Sequence, residues 1–407
     1  MDNVDNFTLP LHISNENDYI KSVEEKANYY FSKINEFADC ERFLTYQKDI
    51  LDAINSAKQQ LQEIVLIYDL LLHGRYTEAK EKMGYLLPNN LKSLLTPLNQ
   101  SSAFCGNKLM NPNSLQIDKL YLFRGRIVEP YANLAAPEMA HVPLDHRKVV
   151  KSCRYSLSGI PCLYLSSNSY VVWKEMSCPD LNKLTISAFQ LDDYLLCNQI
   201  IDLTIPIYFF YECLSRLSLD KSEDVDSFKY IISAIPAIPL IIACSVVCDD
   251  ARERNFKVEY LFPQLMMQFL GDNVFGIAYR TNRCESGVLS ANNLAIPILN
   301  FDKGKRFGNV MKNIAVGKSL NIGYFNEFLN NNSALTVKNE SACGPSSKRM
   351  HKMFSLSLCS AESTFNKDLI GYKTCLSYDS FIKYNDSVFY KFDEYLLFAN
   401  ELALIKI

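Results

Sequence analysis

Polar side chains set into apolar runs are where this 407-residue chain could do chemistry. Arg124 and Arg126 interrupt LYLFRGRIV, and Arg154 with Tyr155 precedes the turn at Gly159-Ile160-Pro161. Tyr164 follows in CLYLSS, Glu175 in SYVVWKEM, and Tyr279 and Thr281 in FGIAYRTNR. A guanidinium is a planar fork of donors that grips phosphate-type oxygens through charge-assisted bonds. A carboxylate can accept a bond from a hydroxyl and stabilise developing positive charge. Tyrosines offer faces to a flat ring, and a threonine hydroxyl both donates and accepts. Two or more arginines with one carboxylate suit an anionic ligand better than a metal. Taken singly, each residue has an ordinary structural use, since strand arginines snorkel and helix carboxylates usually face solvent. Their order and spacing single out the set.

The elements that must position these groups change texture along the chain. Leu51, Ile54, Leu61, Val65 and Leu72 fall near helical spacing, and His73-Gly74 ends that run. Tyr76 to Leu87 reads as a second, antiparallel helix stopped before Pro88. Residues 1–100 therefore form an expected helical module for interaction, oligomerisation or regulation. A polar linker follows over 101–117. Short apolar runs then alternate with turns over 118–330, with helical stretches at Tyr170 to Met176 and Phe262 to Leu270. The segment SLDKSEDVDSF reads as a solvated insertion. Residues 331–407 read as a strand-rich extension, through SVFYKF and EYLLFANELALIKI, that completes the core. The class is α+β.

The bulk properties narrow the function. A net charge of −3 gives no global attraction to nucleic acid or an anionic membrane, so neither is an expected partner, though a local basic patch remains open. Thirteen dispersed cysteines without a CxxC pair suit a reducing, cytoplasmic setting. The N-terminus MDNVDNFTLP lacks a basic region and an apolar stretch, so no secretory signal is expected. Residues 230–248 are almost continuously apolar, but Pro236 and Pro239 favour a short extended entry and a buried strand, IIACSVV, over a membrane span. Gly317-Lys318-Ser319 resembles the end of a phosphate loop, yet Lys312 replaces its first glycine. No GxGxxG or GxSxG occurs, and His141 and His146 lack the spacing of zinc ligands. No metal is expected.

The run from FRGR through HVPLDHRKVVKSCRYSLSGIPCLYLSSNSYVVWKEM resembles the opening of a RES domain, a family named for its Arg, Glu and Ser and known from bacterial toxin–antitoxin systems. The likeness continues more weakly through CSVV, FKVEYLFPQLMMQFL, GIAYRT and NNLAIPIL, covering roughly residues 118–300. It implies an ADP-ribosyltransferase-like mixed β core with flanking helices, and cleavage of NAD at the nicotinamide–ribose bond by phosphorolysis or hydrolysis. Arg124 matches the arginine of the family's first strand, Arg154 the one ahead of the Gly-x-Pro turn, Tyr164 the next strand's tyrosine, and Glu175 the helix glutamate. Thr281 stands where the family has serine; it keeps the hydroxyl but adds a methyl group, and Ser286 or Ser290 is the alternative source. Glu175, Arg124 and Thr281 are thus the candidate catalytic residues. Arg124, Arg126, Arg154, Tyr155, Tyr164 and Tyr279 are the candidates for binding NAD, with inorganic phosphate as a co-substrate. The resemblance further implies an inhibitory antitoxin partner, and the N-terminal helices could form a homo-oligomer. An ADP-ribosyltransferase acting on a macromolecule and a non-catalytic interaction protein are the alternatives.

Overall fold

The computed structural model describes residues 9–101, 103–104, 108–110, 117–205, 211, 214–215, 218, 225–249, 256–270, 274–283, 291–331, 387–400 and 404–406. Its helices are α1 (Tyr19–Asn35), α2 (Gln47–Leu72), α3 (Tyr76–Leu94), α4 (Ala136–Met139), α5 (Ser169–Glu175), α6 (Asp193–Cys197), α7 (Val225–Ala234), α8 (Ile238–Cys244), α9 (Val258–Met267), α10 (Ile322–Asn331) and α11 (Val388–Asn400). The strands run β1 (Leu11–Ile13), β2 (Leu95–Pro97), β3 (Lys108–Met110), β4 (Ile117–Ile127), β5 (Cys162–Ser166), β6 (Leu184–Leu191) and β7 (Gln199–Asp202). They continue with β8 (Val246–Cys248), β9 (Val274–Arg280), β10 (Asn292–Pro297), β11 (Ile314–Val316), β12 (Leu320–Asn321) and β13 (Ile405–Lys406). The fold is α+β with a helical N-terminal region.

Two compact units divide the chain, and they are not consecutive in sequence. One gathers residues 1–96, 152–157 and 200–274; the other gathers 97–151, 158–199 and 275–407. The expected single domain over 118–330 is therefore split. Helices α7, α8 and α9 pack with the N-terminal helices in the first unit.

In the first unit, α2 buries Ile50, Ile54, Ala57, Leu61, Ile64, Tyr68 and Leu71, a stripe at helical spacing. Leu51 and Leu72, expected in that stripe, are exposed. Helix α3 does not stop before Pro88 but continues to Leu94. The apolar stretch 230–248 is mostly helical where an extended entry and a strand, IIACSVV, were expected: Pro236 lies in the first turn of a 3-10 segment and Pro239 in the first turn of α8, positions where a missing N–H costs nothing. Only Val246–Cys248 is a strand, paired in parallel with β1. Helix α8 is buried throughout, and no described helix is long and apolar enough to cross a membrane. Tyr19 stacks on Tyr68 at 4.6 Å and donates to the Ala243 carbonyl at 2.7 Å.

The second unit is built on an antiparallel sheet ordered β13-β11-β6-β4-β5-β10-β9, with β12 also on β6 and β3 on β4. Helices α5, α10 and α11 cover one face around Tyr121, Phe123, Val172, Ile186, Phe325, Phe392 and Leu396. Segment VFYKFDEYLLFAN, expected as strand, is α11; Phe389, Phe392, Leu396 and Leu397, at helical spacing, pack on the sheet, and among the described residues that follow, Ile405–Lys406 adds an edge strand. The described part of the expected linker is also integrated. Phe104 is buried, Asn292 Nδ2 donates to the Ala103 carbonyl at 2.8 Å, and β3 pairs with β4. The start of SLDKSEDVDSF lies largely outside the described residues, while its end opens α7.

Candidate active site

Glu175 ends α5, a helix fixed at its start from two directions. Asn168 caps it by accepting from the Val171 N–H at 2.9 Å. The buried Asp393 of α11 accepts from the Ser169 N–H at 3.1 and 3.2 Å. A Cβ at Gly125 would meet Val172 Cγ1 at 2.5 Å and Met176 Sδ at 3.0 Å, so the glycine lets α5 lie directly on β4.

The sheet brings polar groups to the carboxylate. Phe123, Ser166, Asn293 and Tyr279 stand in register across β4, β5, β10 and β9, hence on one face, the face covered by α5. Asn293 Nδ2 and Thr281 Oγ1 each donate to Glu175 Oε1 at 2.6 Å. Ser166 Oγ donates to Asn293 Oδ1 at 2.7 Å, and the Arg283 N–H donates to Thr281 Oγ1 at 3.2 Å. The other carboxylate oxygen, Oε2, lies 3.7 Å from Arg283 Nε, with the Glu175 side chain 30% exposed. Arg283 Nη1 also donates to Ser177 Oγ. Ser177 and Cys178 take left-handed backbone angles, φ 67° and 55°, which turn the chain sharply after α5.

One carboxylate oxygen is thus tied by two neutral donors, while the second is left beside a cation at a partly open edge. Such an arrangement fixes the carboxylate's orientation and leaves an acceptor for an incoming ligand. Thr281 and Glu175 meet directly, and Tyr164 and Tyr279, both half-buried, project from the same sheet face.

Arg124 and Arg126 do not share that sheet face. Because Gly125 looks onto α5, strand alternation sends Arg124 and Arg126 to the opposite face. Arg124 Nη1 donates to the Tyr164 carbonyl at 3.2 Å, and Arg126 Nη2 to the Ala140 carbonyl at 2.7 Å. Beside them His141 is buried, and its pKa is pushed down to about 4, first by burial and then by the two guanidinium charges, against the raising effect of its bond to Val142. Its Nε2 accepts from the Gly308 N–H at 3.0 Å, which leaves the proton on Nδ1 to donate to the Val142 carbonyl at 2.8 Å. Arg154 and Tyr155 belong to the first unit. There Arg154 donates to the carbonyls of Cys244 and Val246 at 3.0 and 2.9 Å and lies over the Tyr260 ring. Tyr155 is fully buried, which raises its phenol pKa well above the ordinary value.

Asn293, Ser166 and Arg283 escaped the sequence reading. An amide in the apolar run NNLAIPIL and an arginine two positions after Thr281 were the available signals. Ser286 and Ser290 lie outside the described residues. Among the described residues no group of three His, Cys, Asp or Glu could hold a metal.

The fold and site define an α+β protein with a carboxylate-centred polar cluster at a sheet-to-helix corner. The chain is similar to the Bacillus subtilis (strain 168) protein named "Putative toxin YopC", 26% identical over 289 residues, which cover 67% of this chain and 59% of that one. It therefore spans about three fifths of the curated relative's length. No family model and no solved structure matches the chain.

Proposed function

We propose that this chain is a toxin-type enzyme that cleaves NAD at the nicotinamide–ribose bond. The observation that carries the reading is the Glu175 carboxylate, held by Thr281 and Asn293 through Oε1 and open beside Arg283 at Oε2. The RES-like order of residues and the toxin name of the relative support it.

In this reading the bond between the ribose C1′ and the nicotinamide nitrogen breaks, and its electron pair neutralises the pyridinium. Positive charge then builds on C1′ and the ring oxygen. Glu175 Oε2 accepts from a ribose hydroxyl and stabilises that charge. Tyr164 and Tyr279, on the same face, offer surfaces to the planar ring. The acceptor at C1′ is inorganic phosphate or water. An enzyme of this kind in a cell needs restraint, so an inhibitory protein partner belongs to the same proposal.

The test is nicotinamide release from NAD by the purified chain, with and without phosphate, beside Glu175→Gln. Release that needs Glu175 supports the reading, and phosphate dependence selects phosphorolysis. Label passing from NAD to protein selects transfer instead. Equal, absent turnover in both proteins overturns the enzyme reading.

A further inference from the structure

We infer that the second unit carries a binding surface for single-stranded nucleic acid, built from two segments more than a hundred residues apart in sequence. Residues 143–151 read PLDHRKVVK and residues 300–312 read NFDKGKRFGNVMK; both are basic within a chain of net charge −3. The fold joins them. The Leu144 N–H donates to the Arg306 carbonyl at 2.9 Å, and the Arg147 guanidinium lies over the Phe301 ring at 4.6 Å.

Seven Lys and Arg in these segments outnumber two acids. Asp302 accepts from Lys312 at 3.2 Å and lies near Lys305, and Asp145 lies 2.8 Å from the His146 ring and near Arg306. Arg147, Lys148, Lys151, Lys303, Lys305 and Arg306 form no ion pair among the described residues. Lys303 and Lys305 flank Gly304, whose φ of +79° makes the turn that carries them outward; the Lys305 N–H closes it on the Asp302 carbonyl at 3.1 Å. All of these cations but Arg147 are exposed.

The chemistry favours a nucleic acid over an acidic protein. Phe301 is 41% exposed, and Arg306 lies over Phe307 at 5.8 Å, so cations and aromatic faces alternate across the patch. Phosphates would take the cations while unpaired bases stack on the rings. An acidic protein surface needs only the charges. Duplex nucleic acid, with its bases already stacked, would gain less from Phe301.

The inference is independent of the NAD reading. Anisotropy of a labelled, mixed-sequence single-stranded RNA of about 20 nucleotides, longer than a typical single-fold binding site, tests it on the full chain. Lys303→Glu with Lys305→Glu and Arg306→Glu should weaken binding at least tenfold. Reversing three phosphate contacts should also flatten the salt slope by roughly two. Phe301→Ala, a milder change, should weaken RNA while leaving binding to polyglutamate unaltered, and Glu175→Gln should bind as the parent does. No RNA binding at low salt, equal binding by the charge-reversed chain, or tighter binding to polyglutamate than to RNA overturns the proposal.

Discussion

The Thr281 hydroxyl donates to Glu175 Oε1 at 2.6 Å, across 106 positions of sequence, so the hydroxyl positions the carboxylate. Serine can make the same bond, and valine cannot. On the proposed reading, Thr281→Ser should retain NAD cleavage within about threefold, while Thr281→Val should lose about tenfold or more in kcat/KM. A charge-assisted bond contributes about 1.5–3 kcal/mol, so melting temperature should fall in Val and hold in Ser. Equal activity in both would remove Thr281 from the site.

Asn293 offers an amide hydrogen to that same oxygen at 2.6 Å. Asn293→Asp replaces it with a second carboxyl, and two carboxylates so close cannot both ionise. The pair should hold a proton near neutrality, shifting the acid limb of the pH–rate profile upward. Asn293→Leu removes the donor without adding a charge, so it should lower activity with a smaller upward shift of that limb. Profiles of both variants, measured side by side, check the assignment.

Gly125 lies under α5, with Val172 Cγ1 at 2.5 Å from where its Cβ would be. Gly125→Ala forces the helix away from β4 at a cost of about 1–3 kcal/mol. Glu175 moves with the helix, so kcat should fall along with the urea midpoint. A stable variant of unaltered kcat would contradict this placement.

His141 titrates lower in the fold, at about 4, than in an unfolded chain. The unfolded state therefore binds more protons as pH falls from about 6.5 to about 4. Stability contributed by the neutral ring is complete above that window and is lost through it, by at most about 3 kcal/mol. Urea midpoints from pH 7 to 5 should drop more in the parent than in His141→Gln.

Arg154 donates to two main-chain carbonyls in the first unit. Arg154→Lys cannot span both and should cost about 1–3 kcal/mol of stability. At a temperature where the variant remains folded, its KM for NAD should match the parent's. A KM raised tenfold with unchanged stability would return Arg154 to substrate binding.

The α+β class, the helical N-terminal region, the strands around FRGR, CLYLSS and LTISAFQL, and the short helix bearing Glu175 were legible because each follows a local period or turn signal. Helix α11 and the helices of 225–244 were not. Their apolar residues satisfy strand and buried-helix patterns alike, and only packing against a sheet or α2 separates the two. The positions of Arg124 and Arg126 were hidden for a different reason. Strand alternation fixes that both share a face, but not which face α5 will cover; Gly125 and Val172 decide that.

The sequence by itself determined the residue types: a helix carboxylate, a hydroxyl at Thr281, arginines in apolar strands, and the overall charge. Tertiary structure decided the partnerships. It joined Thr281 and Asn293 to Glu175, placed Arg283 beside that carboxylate, sent Arg154 into another unit, and merged two modest basic segments into one surface. Hydrogen bonds of 2.6 Å between residues more than a hundred positions apart depend on strand register and helix placement. Those are properties of the packed core, which no local pattern encodes.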